Sequence, residues 1–128
     1  MNVFALILGG FLGTALRYEL SLWIPAAGSF PLPTFLINLA GCLFLGWFFT
    51  MAAKWPIRPE VRLGVGTGFT GAFTTFSTFT VQTVDAVHSH HPFTALAYVL
   101  ASVIGGLLMA GAGVALGRIN RKKAGESA

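Results

Sequence analysis

The sequence predicts an all-α integral membrane protein with four transmembrane helices. Three observations predict it. Of the 128 residues, 55% are hydrophobic and 9% charged, with a mean hydropathy of +0.75, against about 25% charged in an ordinary soluble domain. Four apolar segments each reach the roughly 20 residues that cross a bilayer. The stretches between them are short, polar and rich in proline.

The first span is expected at about 3–24 and carries Arg17 and Glu19. It has no basic region or small-residue cleavage site, so it reads as a membrane helix rather than a removable signal. A proline-punctuated turn, PAAGSFPLP, leads to an uncharged second span at about 34–53. The loop KWPIRPEVR precedes a third span at about 63–87, with Asp85 near its end. The turn HSHHP precedes an uncharged fourth span at about 93–117, and the basic tail, 118–128, is expected to fray. The length suits one membrane domain, 1–128.

An even number of spans puts both termini and the 54–62 loop on one side. That side holds Lys54, Arg58, Arg62, Arg118, Arg121, Lys122 and Lys123, and the opposite loops hold no Lys or Arg. Basic residues favour the cytoplasm, so both termini are expected there. Juxtamembrane placement accounts for the net charge of +4 without a nucleic-acid partner. Gly9 and Gly13, Gly64 and Gly68, and Gly113 and Gly117 stand four apart, a spacing that lets helix backbones approach closely in lipid.

Several motifs are excluded by context. Gly66, Gly68 and Gly71 spell GxGxxG, but a dinucleotide site needs a strand before it and water around it. His88, His90 and His91 lack the spacing and companions of a metal site. The lone Cys42 excludes an internal disulfide. No nucleophile-base or paired-carboxylate arrangement stands out, so the chain reads as no enzyme.

Three features remain. Arg17 is a charge within a span: it snorkels, pairs with Glu19, or stands at the mouth of an anion pathway. Asn38, in TFLINLAGCLFLG, is either interhelical glue or an anion donor. The stretch GFTGAFTTFSTFT sets Phe69, Phe73, Phe76 and Phe79 four, three and three residues apart, as if along one helix face. Hydroxyls at Thr74, Thr75, Ser77 and Thr78 make a second, polar face, while Gly71 and the crowded threonines favour a local break. A broken membrane helix exposes carbonyls that an ion, water or a neighbour must meet. A phenyl ring is positive at its edge. Hydroxyl and amide donors, ring edges and an arginine together describe a pathway for a small anion, too weakly charged to trap it.

These residues resemble the Fluc or CrcB family of small dimeric fluoride channels. The likeness is carried by GGFLGTALRY, TFLINLAGCLFLG and above all TGFTGAFTTFSTF, and extends into AYVLASVIGG. It implies an antiparallel dual-topology dimer that conducts fluoride passively out of the cell through two pores at the interface, with the third helix broken. It implies a structural, untransported Na+ held by the carbonyls of Gly71 and Thr74. It further implies that Asn38, Phe76, Phe79, Ser77 and Thr78 line the fluoride pathway, with Thr34, Tyr98 and Ser102 at further pore-side positions and Arg17 in the vestibule. The chain departs from the pattern at Gln82, where many members carry glutamate, and at Gly106, which lacks a hydroxyl. The Lys/Arg bias also departs from it, because self-pairing in inverted orientations prefers a weak asymmetry. The partner is therefore a second copy or an oppositely inserted paralogue. Outside the family, a dual-topology multidrug exporter has similar size, but no carboxylate sits mid-span to couple protons. An accessory membrane subunit would leave the Thr/Phe stretch without a purpose.

Overall fold

The computed structural model describes residues 2–126. The last two residues of the expected tail, 127–128, lie outside the described residues. The regular structure of the described residues is helical, apart from an isolated bridge between Ala27 and Phe30 in the first loop. Its elements are α1 (Asn2–Trp23), α2 (Leu32–Ala52), α3 (Pro59–Arg62), a π-helical segment (Leu63–Phe69), α4 (Thr70–Phe73), α5 (Ser77–His88) and α6 (Pro92–Glu126). Three of them, α1, α2 and α6, are long and apolar enough to cross a membrane.

Proline starts the helices that follow loops: Pro33 lies in the first turn of α2, Pro59 opens α3 and Pro92 opens α6. The missing N–H matters little there, and the fixed φ suits the first turn. Gly28, at φ +62°, lets the first loop fold back so that the N–H of Phe30 reaches the carbonyl of Ala27 at 3.0 Å.

Helices pack in two pairs. α1 lies along the π-helical segment and α4, and α2 lies along α6. Both seams are close backbone approaches. A Cβ on Gly9 would overlap the Gly64 carbonyl oxygen, and one on Gly13 the Phe69 carbonyl oxygen. In the other seam, a Cβ on Gly46 would overlap the Ala110 carbonyl oxygen and one on Gly113 the Leu43 carbonyl oxygen. With lipid as apolar as the side chains, such dispersion contact is what holds two helices together.

The basic tail does not fray where expected. α6 runs past Gly117 to Glu126, 35 residues in all, or about 52 Å at the helical rise. It overshoots the hydrocarbon, so its last turns stand in water, where Arg and Lys suit the negative end of a helix. Lys54 Nζ donates to the Arg121 carbonyl at 3.5 Å and ties the extension to the preceding loop.

Candidate functional site

The site begins where helical structure stops. α4 ends at Phe73, Thr74 is extended (φ −79°, ψ 158°), and α5 begins at Ser77. The carbonyl of Thr70 accepts both the N–H of Thr74, at 3.0 Å, and its hydroxyl, at 2.9 Å. A threonine bonded back to the preceding turn competes with the helix ladder at the point where the ladder ends.

Stopping a helix in an apolar setting strands peptide groups, and Asn38 takes up one complete set. Its Nδ2 donates to the Thr75 carbonyl at 3.0 Å, and its Oδ1 accepts the Thr75 N–H at 2.8 Å. The side-chain amide thus pairs with one peptide in both directions. The interhelical reading of Asn38 is met: its amide joins α2 to the break. One turn along α2, Gly41 makes room, since a Cβ there would overlap the Thr74 methyl.

The hydroxyls cluster rather than forming a helical face. Thr75 Oγ1 donates to Thr78 Oγ1 at 3.0 Å, accepts from the Thr78 N–H at 3.2 Å, and stands 3.4 Å from Ser77 Oγ. The expected row of four phenyl rings is likewise overturned, because a helix that stops at residue 73 cannot keep 69, 73, 76 and 79 on one side. Phe69 and Phe73 stack at 5.8 Å in the interior, against Phe44. Phe76 and Phe79 form a separate pair at 5.7 Å beyond the break. Phe73 is 7% exposed and Phe76 79%.

Phe79 also meets the Tyr98 ring at 5.0 Å. Tyr98 is 1% exposed, and its hydroxyl donates to Gln82 Oε1 at 3.0 Å, with the Thr34 side chain beside it. At Gln82 a neutral amide oxygen thus accepts the phenol proton. On the next turn of α6, the buried Ser102 hydroxyl has no hydrogen-bond partner, an uncommon state for a buried polar atom.

An open groove of about 610 Å³ collects much of this set: Asn38, Gly71, Thr74, Thr75, Phe76, Phe79 and Ser102 line it. Ser77 and Thr78 connect to it through Thr75, and Thr34 and Tyr98 through Phe79 and Gln82. Arg17 is not brought to it. It is half-buried on α1 and forms no ion pair with Glu19 or any other described residue.

Thr75, which the sequence places on the polar face but not in the fluoride pathway, holds more of the site together than any other hydroxyl. The signal was available: a peptide at a break needs a partner, and Asn38 offers a donor and an acceptor at once. The carbonyls of Gly71, Ala72, Phe73 and Thr74 receive no hydrogen bond from any described residue. A Cβ on Gly71 would meet nothing within 4 Å among the described residues. Gly71 and Thr74, with their free carbonyls, the exposed Phe76 ring and the free Ser102 hydroxyl thus share one open groove.

The comparisons agree with one another. The model of the family described as "CrcB-like protein, Camphor Resistance (CrcB)" matches residues 4–114. A Bacillus cereus protein named fluoride-specific ion channel FluC 1 is 48% identical over 91% of this chain and 83% of its own. Proteins named fluoride-specific ion channel FluC from Synechococcus sp. and Stutzerimonas stutzeri are each 44% identical, over 92% and 91% of this chain and 93% and 96% of their own.

Proposed function

The chain belongs to the CrcB family, and on that premise we propose that it is a fluoride-selective channel of the cell membrane. It lets F⁻ leave the cytoplasm passively, down its electrochemical gradient. Hydrogen fluoride crosses membranes as a neutral weak acid and dissociates at neutral pH, which leaves the anion trapped unless a pore exists.

One observation carries the reading: a 79%-exposed Phe76 and a buried, unpartnered Ser102 hydroxyl share a groove that is open along one side. Half a pore has this form, and a second subunit supplies the missing wall. Residues 59–88 form the third membrane span, broken at 74–76, in an antiparallel dual-topology dimer with two pores at its interface. The mates are two copies of this chain. The Lys/Arg bias leaves an oppositely inserted paralogue as the alternative, and accessibility of tags at the termini in cells separates the two, since a single orientation of every copy excludes self-pairing.

Along each pore the anion meets donors in place of water. Asn38 holds the break and keeps a second amide hydrogen for the ion. Ser77 and Thr78 present hydroxyls organised by Thr75, the ring edges of Phe76 and Phe79 carry positive charge, and Ser102 offers its free hydroxyl. Thr34 and Tyr98 position the Phe79 end, and Arg17 draws anions to the vestibule. None of these groups except Arg17 bears a full charge, so binding stays weak enough for release.

The free carbonyls of Gly71 and Thr74 fit a hard alkali cation, which takes neutral oxygen ligands and needs no carboxylate. Two copies would hold one structural, untransported Na+ there, and its charge would relieve the repulsion between the facing carbonyls.

Liposomes loaded with fluoride test the function. Purified protein, given a potassium ionophore, should release F⁻ to an ion-selective electrode and leave chloride nearly untouched. A folded, reconstituted preparation that stays sealed to fluoride would overturn the reading.

A further inference from the structure

A second cleft lies between the latter halves of α2 and α6, with a volume of about 650 Å³. Its walls are Leu45, Phe49, Ala110 and Val114, and Arg118 and Arg121 stand at one end. It shares Cys42, Leu45 and Phe49 with the groove at the break, and differs from it in carrying two full charges at one end. Gly111 opens the floor, since a Cβ there would meet nothing within 4 Å. We propose that this cleft binds one anionic phospholipid, with the phosphate on the two guanidinium groups and an acyl chain along the apolar walls.

Three observations argue for a lipid. The two arginines belong to the end of the molecule that also carries Lys54, Arg58, Arg62, Lys122 and Lys123; in the copy whose termini face the cytoplasm this end lies in the cytoplasmic leaflet, where anionic headgroups concentrate, and the inverted copy sets its own cleft in the opposite leaflet. The cleft runs from Cys42 to Ala53 along α2, roughly 16 Å at the helical rise, which is about the depth of one leaflet. An apolar trough ending in two guanidinium groups matches a molecule with a hydrocarbon tail and a phosphate that accepts paired N–H bonds. The proposal rests on the membrane topology and is independent of the ion conducted.

Native mass spectrometry of the detergent-purified protein tests it, with dioleoylphosphatidylglycerol and dioleoylphosphatidylcholine supplied in equal amounts. The phosphatidylglycerol adduct should dominate. The double variant R118Q/R121Q should bind that lipid roughly tenfold more weakly. Gly111→Leu, which fills the trough and leaves both charges, should weaken it as well. Unchanged phosphatidylglycerol binding in R118Q/R121Q overturns the proposal. So does full competition by inorganic phosphate at equal concentration, which would make the rim a plain anion site. A shift of the Gly111→Leu protein from dimer to monomer overturns it too, by showing that a second copy covers the cleft. Fluoride efflux, measured separately, reports on the channel reading alone.

Discussion

The glycine seams and the break at 74–76 place backbone against backbone in opposite ways. In the seams, Gly9, Gly13, Gly46 and Gly113 bring intact helices together where any side chain would collide with a carbonyl. The peptide groups there are bonded within their own helices, and contact is dispersion alone. At the break the ladder is cut, and a side chain from another helix restores what was lost. Shape makes the seams, and hydrogen-bond chemistry makes the break. The seams tolerate no added atom, whereas the break tolerates no missing donor or acceptor.

Variants sharpen that contrast, in order of expected loss of stability. Asn38→Ala strands the Thr75 N–H and carbonyl together, at a cost of about 2–6 kcal/mol. We expect a lower unfolding temperature and no fluoride flux, and Asn38→Asp should fail similarly because a carboxylate oxygen then faces the Thr75 carbonyl. Thermal unfolding at the wild-type temperature would show that the clamp is not structural. Phe73→Ala empties interior space beside Phe69, at about 3–5 kcal/mol, while Phe76→Ile should leave unfolding nearly unchanged and reduce flux. Equal unfolding of the two variants would erase the distinction between the ring pairs.

Gly13→Ala drives a methyl into the Phe69 carbonyl, and overpacking of this kind costs about 1–3 kcal/mol. Tyr98→Phe removes the bond to Gln82 and the polar contact with Thr34, together worth about 1 kcal/mol, a small shift readable by thermal scanning. Gly71→Ala should have the smallest effect on the subunit, since a Cβ there meets nothing. If Gly71 faces its symmetry mate around a cation, the same variant abolishes flux or dimerisation. A Gly71→Ala channel with normal flux and assembly would overturn the proposed cation site and interface at Gly71.

Much of the site was legible from residue type. Asn38 and the threonines are polar groups in an apolar run, and such groups need partners wherever the chain places them. The glycine pairs read as packing faces because a four-residue spacing repeats on one helix side. The phenyl row was misread for a related reason: spacing predicts a shared face only while the helix continues. The α6 extension was missed because hydropathy falls at Arg118, although RINRKKAGE holds no proline and is mostly good helix formers.

By itself, the sequence determined the all-α membrane class, since in lipid the backbone must satisfy its own hydrogen bonds and long apolar runs do so only as helices. It also determined which polar residues would need explanation. Only the tertiary structure decided that Asn38 and Thr75, 37 residues apart, complete each other. It likewise decided that Phe73 faces inward while Phe76 faces out. The physical reason is that a helix break is a non-local equilibrium. Weak local propensity permits it, and a donor and acceptor from another helix, held at the right distance by glycine packing, make it stable.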